Sequence, residues 1–129
     1  MQREQNRNMS NFVKKQQKKR SEYDVQCEIV TFLRQNLKPL ALFTSFPAGG
    51  GGRIRGAKLK KSGLARGWPD LQIVYKGKYY GLEVKNDKGV VSDCQKELHK
   101  QLIKQGAKVR VVKSVFDVEV AINDWHLSR

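Results

Sequence analysis

The chain has 129 residues, 39% hydrophobic and 29% charged, and its 26 Lys and Arg against 12 Asp and Glu give a formal net charge of +14. That length supports one domain around a single core, and no apolar run approaches the roughly 18 residues of a membrane span. The composition excludes collagen-like, membrane and wholly disordered classes, and a field this positive draws polyanions, nucleic acid foremost.

In chain order, residues 1–20 carry seven basic residues against Glu4 alone, among many Gln and Asn. They read as a flexible basic tail, a charge block that does not pack but binds phosphate. Residues 21–129 then read as one domain. No apolar stretch marks a signal peptide, and Cys27 and Cys94 match no metal-ligand spacing, so a reducing cytoplasm is the expected compartment. Ser21 with Asp24 caps a helix whose amphipathic pattern runs to about Leu37, before Pro39. Residues 41–46 read as a strand, Pro47 to Gly52 as a glycine-rich loop, and Gly56 to Gly63 as a short Lys-rich helix. After Gly67-Trp68-Pro69 come a strand over 70–75, a turn at Lys76-Gly77-Lys78 and a hairpin partner over 79–85. Ser92 and Gln95 form a capping box for a helix ending near Gln105, with Gly106 at its C-terminal position. A buried strand over 108–113 and a helix from Ser114 to about Trp125 complete the order α-β-(short α)-β-β-α-β-α, a mixed three-layer α/β domain.

Strand alternation puts Tyr79, Gly81, Glu83 and Lys85 on one face, and the hairpin register brings Asp70 close to Glu83. Two carboxylates and an amine then converge, a set suited to Mg²⁺, which takes one or two carboxylates, waters and phosphate oxygens. Lys85 there orients or deprotonates water, or stabilises a transition-state oxyanion. Helical phasing places Glu22 and Gln26 on the apolar arc of Val25, Ile29, Phe32 and Leu33, so a carboxylate on a core-facing stripe needs a metal, a cation or a hydrogen-bond network. In the helix from Ser92, Gln95 shares the stripe of Leu98 and Leu102, while His99 at its edge reads as a flanking surface residue. Arg53, Arg55, Lys58, Lys60, Lys61 and Arg66 form a basic run with no acid, placed to draw a phosphate backbone across the acidic cluster. No Gly-Lys-Ser/Thr ending follows the glycines, so a nucleotide cofactor is not expected.

Pro69-Asp70 followed by Glu83-Val84-Lys85 resembles the PD-(D/E)XK nuclease superfamily. The wider pattern resembles its VRR-NUC (virus-type replication-repair nuclease) family in the small stand-alone phage or prophage form. The supporting stretches are Glu22 with Gln26, Phe46-Pro47-Ala48-Gly49-Gly50, Leu59 to Gly63, Arg66 to Leu71, Glu83 to Lys85, Ser92 with Gln95, and Gly106 to Ser114. The resemblance implies a restriction-endonuclease-like core of α-β-β-β-α-β order. It further implies a Mg²⁺- or Mn²⁺-dependent DNA endonuclease, acting as a homodimer on branched DNA such as Holliday (four-way) junctions. It makes Asp70 and Glu83 metal ligands with the Val84 backbone carbonyl as a third, Lys85 the water-positioning residue, Glu22 an outer or second-metal ligand, and Gln95 a supporting polar residue. The rival from another class is a non-catalytic nucleic-acid-binding module using the same basic surface.

Overall fold

The computed structural model describes residues 20–46 and 52–129. The expected tail, except Arg20, and the glycine-rich loop, except Gly52, lie outside the described residues.

Helix α1 (Glu22–Asn36) starts where Ser21 and Asp24 satisfy each other's backbone amides in a capping box, and it buries Val25, Ile29 and Leu33. Strand β1 (Leu42–Ser45) follows, then helix α2 (Gly52–Lys61), which begins inside the glycine run, four residues before the expected Gly56, and buries no side chain. Strands β2 (Leu71–Tyr75) and β3 (Lys78–Val84) form the hairpin. Tyr75 pairs with Lys78, so the turn is the two residues Lys76 and Gly77. Both sit at positive φ (50° and 77°), as a type I′ turn requires. Helix α3 (Asp93–Lys104) has the Ser92/Gln95 capping box and is followed by Gly106 at φ 96°. Strand β4 (Lys108–Val112) and helix α4 (Val115–Asp124), capped by Ser114, end the domain.

The sheet order is β1-β2-β3-β4, antiparallel across the first two pairs and parallel between β3 and β4. The parallel step is the α3 crossover. Leu71, Ile73, Tyr80, Leu82, Val84 and Val112 form one sheet face and are packed with Val25, Ile29 and Leu33 of α1 and Val118, Ala121 and Ile122 of α4. The chain end closes this layer: Lys38 N–H donates to the Leu127 carbonyl at 2.9 Å, and Arg129 N–H to the Asn36 carbonyl at 2.7 Å. The opposite face holds the alternate residues Gln72, Tyr79, Gly81 and Glu83, with α3 beside it. The expected three-layer α/β arrangement with a mixed sheet is therefore the observed one. Among the described residues no helix is long and apolar enough to cross a membrane.

Candidate active site

The hairpin builds the centre of the site. Leu71 pairs with Leu82, so one step further the register sets Asp70 opposite Glu83 on the face away from α1 and α4. The Val84 N–H donates to Asp70 Oδ2 at 2.8 Å, fixing the carboxylate against β3. Pro69 is fully buried and rests on Gly81, where a Cβ would come 2.5 Å from Pro69 Cγ. Only a glycine in β3 lets the Pro69-Asp70 backbone approach so closely. The Gln72 side-chain amide donates to the Pro69 carbonyl and holds the same corner.

Glu83 is only 1% exposed, and its Oε1 has no hydrogen-bond partner. Burial, then a hydrogen bond with Asp70 and the Asp70 charge, push its carboxyl up to about 9; Glu22 adds to the rise and Lys85 opposes it. Lys85 Nζ stands 3.8 Å from both Glu83 Oε2 and Glu22 Oε1. The loop after β3 folds over this pair at Gly89, where a Cβ would lie 3.0 Å from Glu22 Oε1 and 3.1 Å from Lys85 Cδ.

Two expectations need correction. Glu22 is not on a buried stripe: as the first residue of α1 it projects past the packed turns, its side chain 48% exposed, and it reaches the site from the solvent side toward Lys85. His99 is not a surface residue. It is buried on the inner face of α3, with Nε2 3.4 Å from Glu83 Oε1 and no hydrogen-bond partner for either atom. Burial lowers its pKa, against the Asp70 charge and a hydrogen bond with the Gly67 backbone, which raise it; Lys85 adds to the lowering. The sequence signal that could have found it is its step of four from Gln95, on the side of α3 that Leu102 also buries.

Gln95 uses its side-chain oxygen to accept the Ser92 N–H at 2.9 Å, so its placement is set by the helix cap. It also lines, with Asp70, a cleft of about 760 Å³ between α2, the segment leading to Asp70, and the start of α3. Of the six basic candidates, Lys60 and Arg66 line this cleft, while Arg53, Arg55, Lys58 and Lys61 are exposed on α2.

Among the described residues no three His, Cys, Asp or Glu side chains converge to hold a metal ion by themselves. The donors present are two hard carboxylates beside a cleft edged by Lys60 and Arg66. They fit a cation that keeps most of its coordination for water and substrate oxygens, and the Glu83 carboxyl, whose Oε1 has no hydrogen-bond partner, would be one of its ligands.

This architecture, with an antiparallel hairpin carrying the acids and a helix crossing to a parallel fourth strand, is a restriction-endonuclease-like α/β fold. Among solved structures, a VRR_NUC domain protein matches it with a TM-score of 0.62, covering 81% of this chain and 86% of that one at 23% identity. The chain therefore has the fold of a VRR-NUC domain. Comparison with protein-family models and with curated proteins finds no match.

Proposed function

We propose that this chain is a divalent-metal-dependent endonuclease that hydrolyses phosphodiester bonds in DNA. The observation that carries the reading is the half-buried Asp70 beside the buried Glu83, with Lys85 Nζ 3.8 Å from Glu83, at a cleft edged by Lys60 and Arg66. The likeness to a VRR_NUC domain protein supports the same class.

Asp70 and Glu83 are the candidate ligands of Mg²⁺ or Mn²⁺, with the Val84 carbonyl as a third. A cation held there supplies Lewis acidity at the phosphate and lowers the pKa of water. Lys85 holds its ammonium where the attacking water or the developing oxyanion lies, and Glu22 keeps that ammonium from turning to solvent. Gln95 fixes the start of α3 along the cleft wall. Lys60 and Arg66 draw the strand in, and the remaining cations of α2 extend the contact along the backbone. The substrate class is branched DNA such as Holliday junctions, cut by a homodimer whose two-fold axis suits a four-way substrate. The two exposed free cysteines suit a reducing cytoplasm.

The test is incubation of labelled linear duplex, flap and four-way-junction DNA with Mg²⁺, Mn²⁺ or EDTA, for wild type and Lys85→Ala. Metal-dependent cleavage lost in the variant, with preference for the junction, is the expected result. A fully active variant contradicts the mechanism, equal cutting of all substrates contradicts the branch selectivity, and binding without cleavage returns the chain to a non-catalytic nucleic-acid-binding module.

A further inference from the structure

The cleft beside Asp70 has an aromatic corner that phosphate chemistry alone does not use. The Phe46 and Trp68 rings both line it, with centroids 6.0 Å apart and planes at 70°. Behind them Trp68 meets Tyr79 edge-on at 6.1 Å. Two rings at that angle receive a flat ligand stacked on one and touching the other at its rim.

The corner is fixed from both sides. Gly67, at φ 99°, lies so close to α3 that a Cβ there would be 3.0 Å from the Cys94 carbonyl oxygen, and Pro69 is wedged on Gly81. The Trp68 backbone, between them, cannot shift without moving a helix or a strand. Across the cleft Gly52 and Gly56 of α2 form part of the wall, and among the described residues a Cβ at either meets nothing within 4 Å. No described side chain therefore fills the wall at these two glycines, and Lys60 and Arg66 supply positive charge at the edge of the cleft.

We propose that this cleft holds one unpaired nucleotide of a DNA strand, its base stacked in the Phe46–Trp68 corner and its phosphate drawn by Lys60 and Arg66 toward Asp70. The proposal rests on the nuclease reading and deepens it by naming the nucleotide state that the site selects. Every base offers a π-face to an aromatic platform. A base still paired in a duplex must first be extruded, so one already unpaired at a branch, flap or bulge enters at least cost. The volume of about 760 Å³ lies in the usual range for small-molecule sites, roughly 300–1,000 Å³. Branch selectivity then comes in part from the chain's own cleft and not from dimer symmetry alone.

The test measures binding by the full chain in EDTA to a duplex with one unpaired nucleotide and to the same duplex with an abasic site there. Wild type should favour the base over the abasic site about tenfold, the scale of a single base–aromatic stack, and should quench 2-aminopurine placed at that position. In Gly56→Leu, whose side chain enters open space and whose helix propensity rises, the ratio should collapse to about one and the quenching should disappear, with an unchanged or higher melting temperature. Trp68→Leu should likewise lose the preference and the quenching. Equal wild-type affinity for base and abasic DNA, or preference and quenching that persist in Gly56→Leu, overturns the proposal. The nuclease reading fails separately: base preference without any metal-dependent cleavage removes only that reading, and cleavage without base preference removes only this one.

Discussion

His99 Nε2 and Glu83 Oε1 face each other across 3.4 Å in the interior between α3 and the sheet, neither with a hydrogen-bond partner. The contact ties the acidic pair to a helix whose start is fixed by the Ser92/Gln95 cap. His99 is thus a positioning residue for Glu83. His99→Leu should cut Mn²⁺ affinity or cleavage about 10- to 100-fold, the scale of losing an outer partner of a ligand. Its melting temperature should not fall, because an apolar side chain suits the buried site. His99→Gln, which keeps a polar group in reach, should recover most of the loss; titration calorimetry with Mn²⁺ and single-turnover cleavage read both.

Glu83 should make the metal-free protein less stable as pH rises. Its folded carboxyl sits at about 9 against an ordinary 4.5, so between those values the folded state holds a proton that the unfolded chain has released. Stability then falls with rising pH across that window. Urea midpoints in EDTA between pH 5 and pH 9, roughly the interval those two values set, should decline for wild type and flatten in Glu83→Gln. Added Mg²⁺ should stabilise wild type more at the alkaline end, because it binds the ionised form.

Gly81→Ala should damage both fold and site. The new Cβ meets Pro69 Cγ at 2.5 Å, an overlap in a packed interior that costs about 1–3 kcal/mol. Pro69 must move, and Asp70 moves with it. Chemical denaturation should register the loss, and cleavage should fall by more than the unfolded fraction accounts for.

Lys60 and Arg66, which edge the cleft, should contribute through phosphate neutralisation. Replacing either by Ala should weaken DNA binding for all sequences alike and reduce the slope of log K against log salt by about one. Anisotropy titrations at several NaCl concentrations measure that slope; an unchanged slope places the phosphate path elsewhere on the surface.

Much of this was legible from local chemistry. Ser21, Ser92 and Ser114 mark three helix starts through capping oxygens, and Lys76-Gly77 sets the hairpin register that puts Asp70 opposite Glu83. What was not legible depends on closure between distant segments. The step of four from Gln95 puts His99 on the side of α3 that Leu102 also buries, but its depth comes from the Gly67 segment and the sheet closing over that side, which spacing within one helix does not reveal. Glu22 obeys the helical phase but sits one turn too early to be covered, so angle without axial position misplaces it. Helix α2 starts at Gly52 despite the low helix propensity of glycine. The Phe46–Trp68 corner joins residues from two different loop ends, and no spacing rule relates them.

In the proposed function Asp70, Glu83 and Lys85 form one metal-dependent hydrolytic centre. The direct measurement is cleavage of end-labelled four-way-junction DNA under single-turnover conditions with Mn²⁺, comparing wild type with Asp70→Asn, and with binding measured on the same substrate in EDTA. The expected result is cleavage by wild type that EDTA abolishes, and junction binding retained by Asp70→Asn with its cleavage rate lowered by at least about 100-fold, the scale of removing a principal electrostatic stabiliser. Cleavage by Asp70→Asn at the wild-type rate, or by wild type in EDTA, would contradict it.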